Sequence, residues 1–149
     1  VLTGAFDNNS IQPNGVDITV KKISEMTGDC FIGKDIKQLP LLTELKADIN
    51  NIYSLKKHHC YDVEFNEFVH VPKDMCAFLI HRSTLNRMGA IITSGWFDSN
   101  FANYIGAAIR PLRNIKIEKG ARIAQIIFFK ADAAKQYNGS YQHTAYKKS

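Results

Sequence analysis

The run Asp98-Ser99-Asn100-Phe101 lies three residues after Gly95 and begins sixteen after Arg82, the first residue of Arg82-Ser83-Thr84-Leu85. It offers a lone carboxylate and an aromatic ring near a basic, hydroxyl-rich segment, a combination suited to holding and cleaving a nucleoside triphosphate. Asp98 could orient and deprotonate a water, and Phe101 could lie against a deoxyribose, leaving no room for a ribose 2'-hydroxyl. A hairpin over residues 93–101 could also read a pyrimidine's hydrogen-bonding edge with backbone groups alone. Taken in isolation the segment favours the plainer reading: Asp98, Ser99 and Asn100 are turn formers, and Phe101 can be core.

Four other segments carry chemistry. In His81-Arg82-Ser83-Thr84-Leu85-Asn86-Arg87-Met88-Gly89, a short helix beginning near Ser83 would aim free N–H groups at a phosphate chain. Arg82 would add a forked contact, and Ser83 and Thr84 hydroxyl contacts. Read alone, it is also an ordinary capped helix with a surface arginine. Gln12-Pro13-Asn14-Gly15-Val16-Asp17-Ile18 sets an acid at the start of a strand, where turn and register devices are common. In Glu118-Lys119-Gly120-Ala121-Arg122-Ile123-Ala124-Gln125-Ile126-Ile127-Phe128 the odd residue is Gln125, whose amide needs a backbone or ligand partner. The last, Tyr137-Asn138-Gly139-Ser140-Tyr141-Gln142, could close over a ligand as a lid.

The elements that must position these residues are mostly strands. Val16, Ile18 and Val20 alternate with polar neighbours, so residues 15–22 read as a half-buried strand. Further strands are expected over 61–65, 68–71, 76–81, 90–93, 104–110, 114–118 and 122–130. Such even spacing points to an all-β sandwich or jelly roll. Leu42, Leu45, Ile49 and Ile52 recur at helical spacing and predict one amphipathic helix over 41–55. Residues 1–135 are expected to form one β domain, and 136–149 a polar tail that is mobile until something binds it.

A length of 149 residues and 45% hydrophobic composition suit a single core. The formal charge of +5 favours anionic partners. No basic block exceeds two residues, and no motif or exposed aromatic run supports nucleic-acid binding. Cys30, Cys60 and Cys76 form no metal spacing and leave one unpaired, which points to reduced thiols in the cytoplasm. The sequence has no apolar run of about 18 residues that would span a membrane. It begins with Val1 and shows no signal or transit pattern, so it reads as processed or as starting internally. Lys56-Lys57-His58-His59-Cys60 cannot converge on one ion, since adjacent side chains diverge. Trp96-Phe97 reads as core or packing between copies, and His70 and His81 as hydrogen-bonded structural histidines.

In order and wording, the five segments resemble the trimeric dUTPase and dCTP deaminase superfamily over residues 12–142, with a weak match over 30–59. Arg-Ser-Thr-Leu-Asn-Arg at 82–87 and Gly-Ala-Arg-Ile-Ala-Gln at 120–125 are the most specific stretches. Gln-Pro-Asn-Gly-Val-Asp and Tyr-x-Gly-x-Tyr-Gln point to its deaminase-like or archaeal and viral branch. The resemblance implies a jelly-roll-like subunit, a homotrimer with sites between subunits, and Mg²⁺ bound mainly through substrate phosphates. It makes Asp98 the base that activates water and Phe101 the ring beside the sugar. It makes Arg82, Ser83, Thr84 and Gln125 phosphate ligands, with Arg87 nearby, Asp17 in support and Tyr141 on the tail.

The superfamily's two chemistries separate at one position. Deaminating members carry a glutamate ten residues after the Asp98 equivalent, and here that residue is Ala108, which cannot shuttle protons. No zinc-deaminase signature is present either. Hydrolysis needs only an oriented water, a carboxylate and cations to spread charge, so the expectation is dUTP and water giving dUMP and pyrophosphate. A dCTP deaminase and a non-catalytic nucleotide-binding or regulatory protein are the alternatives. Departures from the family pattern are Ser140 for a lysine that Lys147 or Lys148 would have to replace, Asn103 for a glycine, and Thr144 for a glutamine.

Overall fold

The computed structural model describes residues 2–3 and 8–142. Lys147, Lys148 and Thr144 lie outside them. The strands are β1 (Leu2–Thr3), β2 (Ile11–Gln12), β3 (Gly15–Thr27), β4 (Phe31–Ile32), β5 (Lys37–Gln38), β6 (Leu41–Glu44) and β7 (Ile52–Leu55). They continue as β8 (Tyr61–His70), β9 (Met75–His81), β10 (Ala90–Thr93), β11 (Trp96–Phe97), β12 (Ala102–Pro111), β13 (Ile115–Glu118) and β14 (Arg122–Lys130). One helical turn and a half, α1 (Ser83–Arg87), leads from β9 toward β10.

The main sheet runs β10-β12-β8-β3-β14-β9-β11 and curls into a dUTPase-like jelly roll. Its corner is β3, thirteen residues long. Its first half pairs with β14 and its second half with β8, with a register shift between Val20 and Lys22. A bulge there adds twist and lets one strand serve two layers. Glu67, buried on β8, accepts the Thr19 backbone N–H with both carboxylate oxygens (3.1 and 3.0 Å) and the Thr19 hydroxyl at 2.7 Å, which braces the corner. Between the layers lie Ile18, Ile23, Phe65, Val69, Ile109 and Ile126, all essentially inaccessible to solvent.

Two expectations need correction. Residues 41–55 are not a helix but β6, a turn and β7. The Asp48 carboxylate accepts the N–H groups of Asn50 and Ile52, and Asn51 has φ 61°, so side-chain hydrogen bonding captures the backbone. Ile49, central to the helical spacing, is 97% exposed. Likewise the strands expected over 61–65 and 68–71 are one continuous strand, β8, in which Glu67 is a buried partner of β3. The expected strands over 90–93 and 122–130 are β10 and β14.

No described helix is long and apolar enough to cross a membrane.

Candidate active site in two halves

The first half gathers around Asp17. Strand β3 pairs with β14 so that Asp17 stands opposite Gln125, and β14 pairs with β9 so that Gln125 stands opposite Ile80. Gly15 permits this close fit, since a Cβ there would lie 2.7 Å from the Ile126 carbonyl oxygen and 2.9 Å from Gln125 Cγ. The Gln125 amide donates to Asp17 Oδ1 at 3.2 Å, which is the partner its setting among isoleucines required. Asp17 is fully buried, with Oδ2 3.0 Å from Arg82 Nε and 3.5 Å from Arg122 Nη1. Neither N–H is aimed well enough to count as a hydrogen bond, so Oδ2 is held by charge alone.

Arg82 is the N-cap of α1 and makes no side-chain cap bond. Its guanidinium is drawn instead to Asp17 and to the Arg122 carbonyl, reached by Nη1 at 3.3 Å. A helix of five residues sums few peptide dipoles, so side chains and not the macrodipole must carry anion recognition here. A cavity of about 280 Å³ opens among Gln12, Asp17, His81, Arg82, Ser83 and Gln125. Thr84 and Arg87 are exposed on α1 and do not line it.

The second half lies at the other end of β9. Strand β10 pairs with β12 only from Thr93 opposite Ala108 to Ala90 opposite Pro111. The intervening chain swings away as β11 to pair with β9, which makes the expected simple hairpin over 93–101 a wide, crossed loop. That departure opens the edge of β12 onto a cavity of about 320 Å³, lined in part by Gly95, Phe97, Phe101, Asn103, Tyr137 and Tyr141. Phe101 is largely buried, its ring centre 5.3 Å from those of Phe97 and Tyr137.

Asp98 sits at the start of the turn beside this cavity. The turn is closed by Phe101 N–H to the Asp98 carbonyl at 3.0 Å, with Asn100 at φ 71°. The buried Ser99 hydroxyl donates to the Met75 carbonyl at 2.5 Å, and backbone bonds to Val71 hold the other side. The Asp98 carboxylate is exposed and makes no hydrogen bond or ion pair among the described residues. The turn is therefore rigid while its acid is free.

The tail crosses the same cavity. Tyr137 donates its N–H to the Ser99 carbonyl at 2.8 Å, and the Gln142 amide accepts from Ala102 N–H at 3.1 Å and donates to the Asn100 carbonyl at 2.6 Å. Asn103, fully buried, donates to the Tyr141 carbonyl at 2.8 Å and accepts from Tyr104 N–H at 2.7 Å. The departure from glycine at position 103 thus supplies a strap for the tail, a role only long-range geometry reveals. Sequence reasoning also missed Arg122 and His81. Arg122 carried the signal of a cation beside the polar anomaly Gln125, whereas His81 carried none beyond its place before Arg82.

The register of β9 measures the separation of the halves. Phe97 stands opposite Ala77, and Asp98 follows it away from Arg82. At about 3.3 Å of rise per residue, Asp98 and Arg82 are on the order of 20 Å apart along the strand. One phosphate chain cannot touch both in a single copy.

A curled sheet with a polar cavity at one end of a strand and an aromatic one at the other defines a dUTPase-like β domain. Residues 1–131 match the dCTP deaminase-like family, and the chain belongs to it. It is 30% identical over 150 residues to a probable deoxyuridine 5'-triphosphate nucleotidohydrolase of Methanosarcina barkeri, covering 96% of this chain and 87% of that protein. Among solved structures, the 2'-deoxycytidine 5'-triphosphate deaminase of Agrobacterium tumefaciens superposes with a TM-score of 0.68 at 18% identity, over 87% of this chain and 43% of that one. This chain therefore spans less than half of that deaminase. The native EIAV dUTPase gives a TM-score of 0.59 at 13% identity, over 93% and 96% of the two chains.

Proposed function

We propose that this protein is a dUTP diphosphatase that hydrolyses dUTP to dUMP and pyrophosphate. The observation that carries the reading is the exposed, unpaired Asp98 carboxylate on the turn between Phe97 and Phe101, which line the aromatic cavity, together with Ala108 at the position where deaminating members carry a glutamate. The nucleotidohydrolase relative from Methanosarcina barkeri supports the same choice.

In this reading the pyrimidine enters the cavity along the open edge of β12, and Phe101 lies beneath the deoxyribose. Asp98 takes a proton from a water whose oxygen attacks the α-phosphorus; the bond to the bridging oxygen breaks, and pyrophosphate leaves. Arg82 and Gln125, held in place by Asp17, bind the phosphates together with Ser83. Tyr141 and the tail residues 136–149 close over the nucleotide as a lid on the domain formed by 1–135.

Mg²⁺ would bind the phosphates and spread the charge that develops on the leaving pyrophosphate. The exposed, unpaired Asp98 carboxylate is a hard oxygen donor of the kind such an ion takes, and the nucleotide and waters would supply the remaining ligands.

The separation of Asp98 from Arg82 calls for one copy to supply the nucleoside cavity and another the phosphate cavity, in a homotrimer. The outer sheet face offers a surface for this. Phe78, Trp96 and Phe129 stack with ring centres 6.0–6.4 Å apart, and Trp96 and Phe129 are exposed. A location in the cytoplasm accords with the three free cysteines.

Pyrophosphate release from dUTP and Mg²⁺ is the decisive measurement. Binding without release would leave a non-catalytic nucleotide-binding protein. The family match favours dCTP deamination as the second reading, and ammonia released from dCTP with formation of a deoxyuridine nucleotide would establish it against the argument from Ala108.

A further inference from the structure

His81 was expected to be a satisfied structural histidine, and it is not. Its Nδ1 is buried and has no hydrogen-bond partner. The ring stands at the end of β9, opposite Ala124, whose methyl group offers nothing polar. It forms part of the wall of the phosphate cavity, directly before Arg82.

The other polar groups of that wall are largely committed to one another. Asp17 holds Arg82 and receives the Gln125 amide, and Arg82 Nη1 is spent on the Arg122 carbonyl. Asp17 also offsets the charge of the cation that lies nearest it. A cavity meant for a polyanion therefore has less free donor capacity than its residue list suggests. The imidazole is the ring in this wall with unused capacity.

The tautomer follows from the burial. An N–H enclosed without an acceptor is the costlier orphan, so Nδ1 is the unprotonated nitrogen and the proton sits on Nε2. Nε2 has no partner among the described residues and is not enclosed as Nδ1 is. It is thus a donor open to an incoming oxygen. We propose that His81 is a ligand of the pyrophosphate portion of the substrate, donating from Nε2–H to a non-bridging phosphate oxygen. This rests on the hydrolase reading, but its test uses inorganic pyrophosphate and needs no turnover.

In nitrogen-15 spectra of the imidazole side chains, titration of the wild-type protein with pyrophosphate and Mg²⁺ should shift the His81 Nε2 resonance and leave most of the five histidines unmoved. His81→Ala should weaken pyrophosphate binding and raise KM for dUTP about tenfold each, with kcat changed less than about threefold. His81→Gln, which restores a donor, should recover most of the affinity; a merely structural role would give no such rescue. An unshifted His81 resonance in protein that binds pyrophosphate would overturn the proposal, as would His81→Ala binding pyrophosphate as tightly as wild type. Protein that shifts His81 with pyrophosphate yet leaves dUTP intact would uphold this ligand and remove the hydrolase reading instead.

Discussion

Asp98 and Asp17 show how differently two carboxylates can serve one site. Asp98 is exposed, unpaired and mounted on a fixed turn, so it can accept a proton without disturbing its support. Asp98→Asn should keep nucleotide affinity within about tenfold while removing most turnover, as calorimetric titration and pyrophosphate release would show. Asp17 has no access to solvent and faces two arginines. Asp17→Asn leaves those cations uncompensated and should cost about 2 kcal/mol, read from the denaturant midpoint at constant slope. Asp98 and Phe101 stood out in the sequence because an acid and a ring share one turn. Gln125 stood out because an amide interrupts an apolar run. That Gln125 meets Asp17 was hidden, because the bond joins residues 108 positions apart and depends on sheet register.

The strands were legible wherever one face is buried and the other wet, since period-two alternation then survives in the sequence. Strand β13 is such a case, with Ile115 and Ile117 buried and Lys116 and Glu118 exposed, and it falls within the expected 114–118. Residues 41–55 were misread because spacing alone cannot tell a helix from two short strands when a turn of Asp48, Asn50 and Asn51 falls between them. The open edge of β12 could not be foreseen, since it arises from β11 choosing β9 over β10 as its partner. At Gly15 the site leaves no room for a side chain. Gly15→Ala would press a methyl group onto the Ile126 carbonyl and Gln125, prising β3 from β14. A loss of about 1–3 kcal/mol in thermal or denaturant unfolding is expected, with weakened pyrophosphate binding because Gln125 moves.

At the scale of the whole molecule, the proposed trimer would use the stacked face of Phe78, Trp96 and Phe129 to bring a neighbouring copy to the divided site. Phe129 lines neither cavity, though the Trp96 ring it stacks on borders the aromatic one, so Phe129→Glu should separate the copies and abolish turnover while leaving the strand signature in circular dichroism intact. Sedimentation would report the change in mass, and an undiminished assembly would argue that another surface joins the copies. With a formal charge of +5, association with nucleotides in the proposed reaction should slow as salt rises, which stopped-flow binding would show.

The length of β9 between its two cavities carries a genetic consequence. In the proposed trimer each copy would lend its acid to one reaction centre and its arginine to another, so defects in the two need not reside in the same place. A preparation of Asp98→Asn and one of Arg82→Ala, each inert, should regain activity when unfolded together and refolded as a mixture, because every hybrid ring contains one unblemished pairing. Two dead alleles would complement each other.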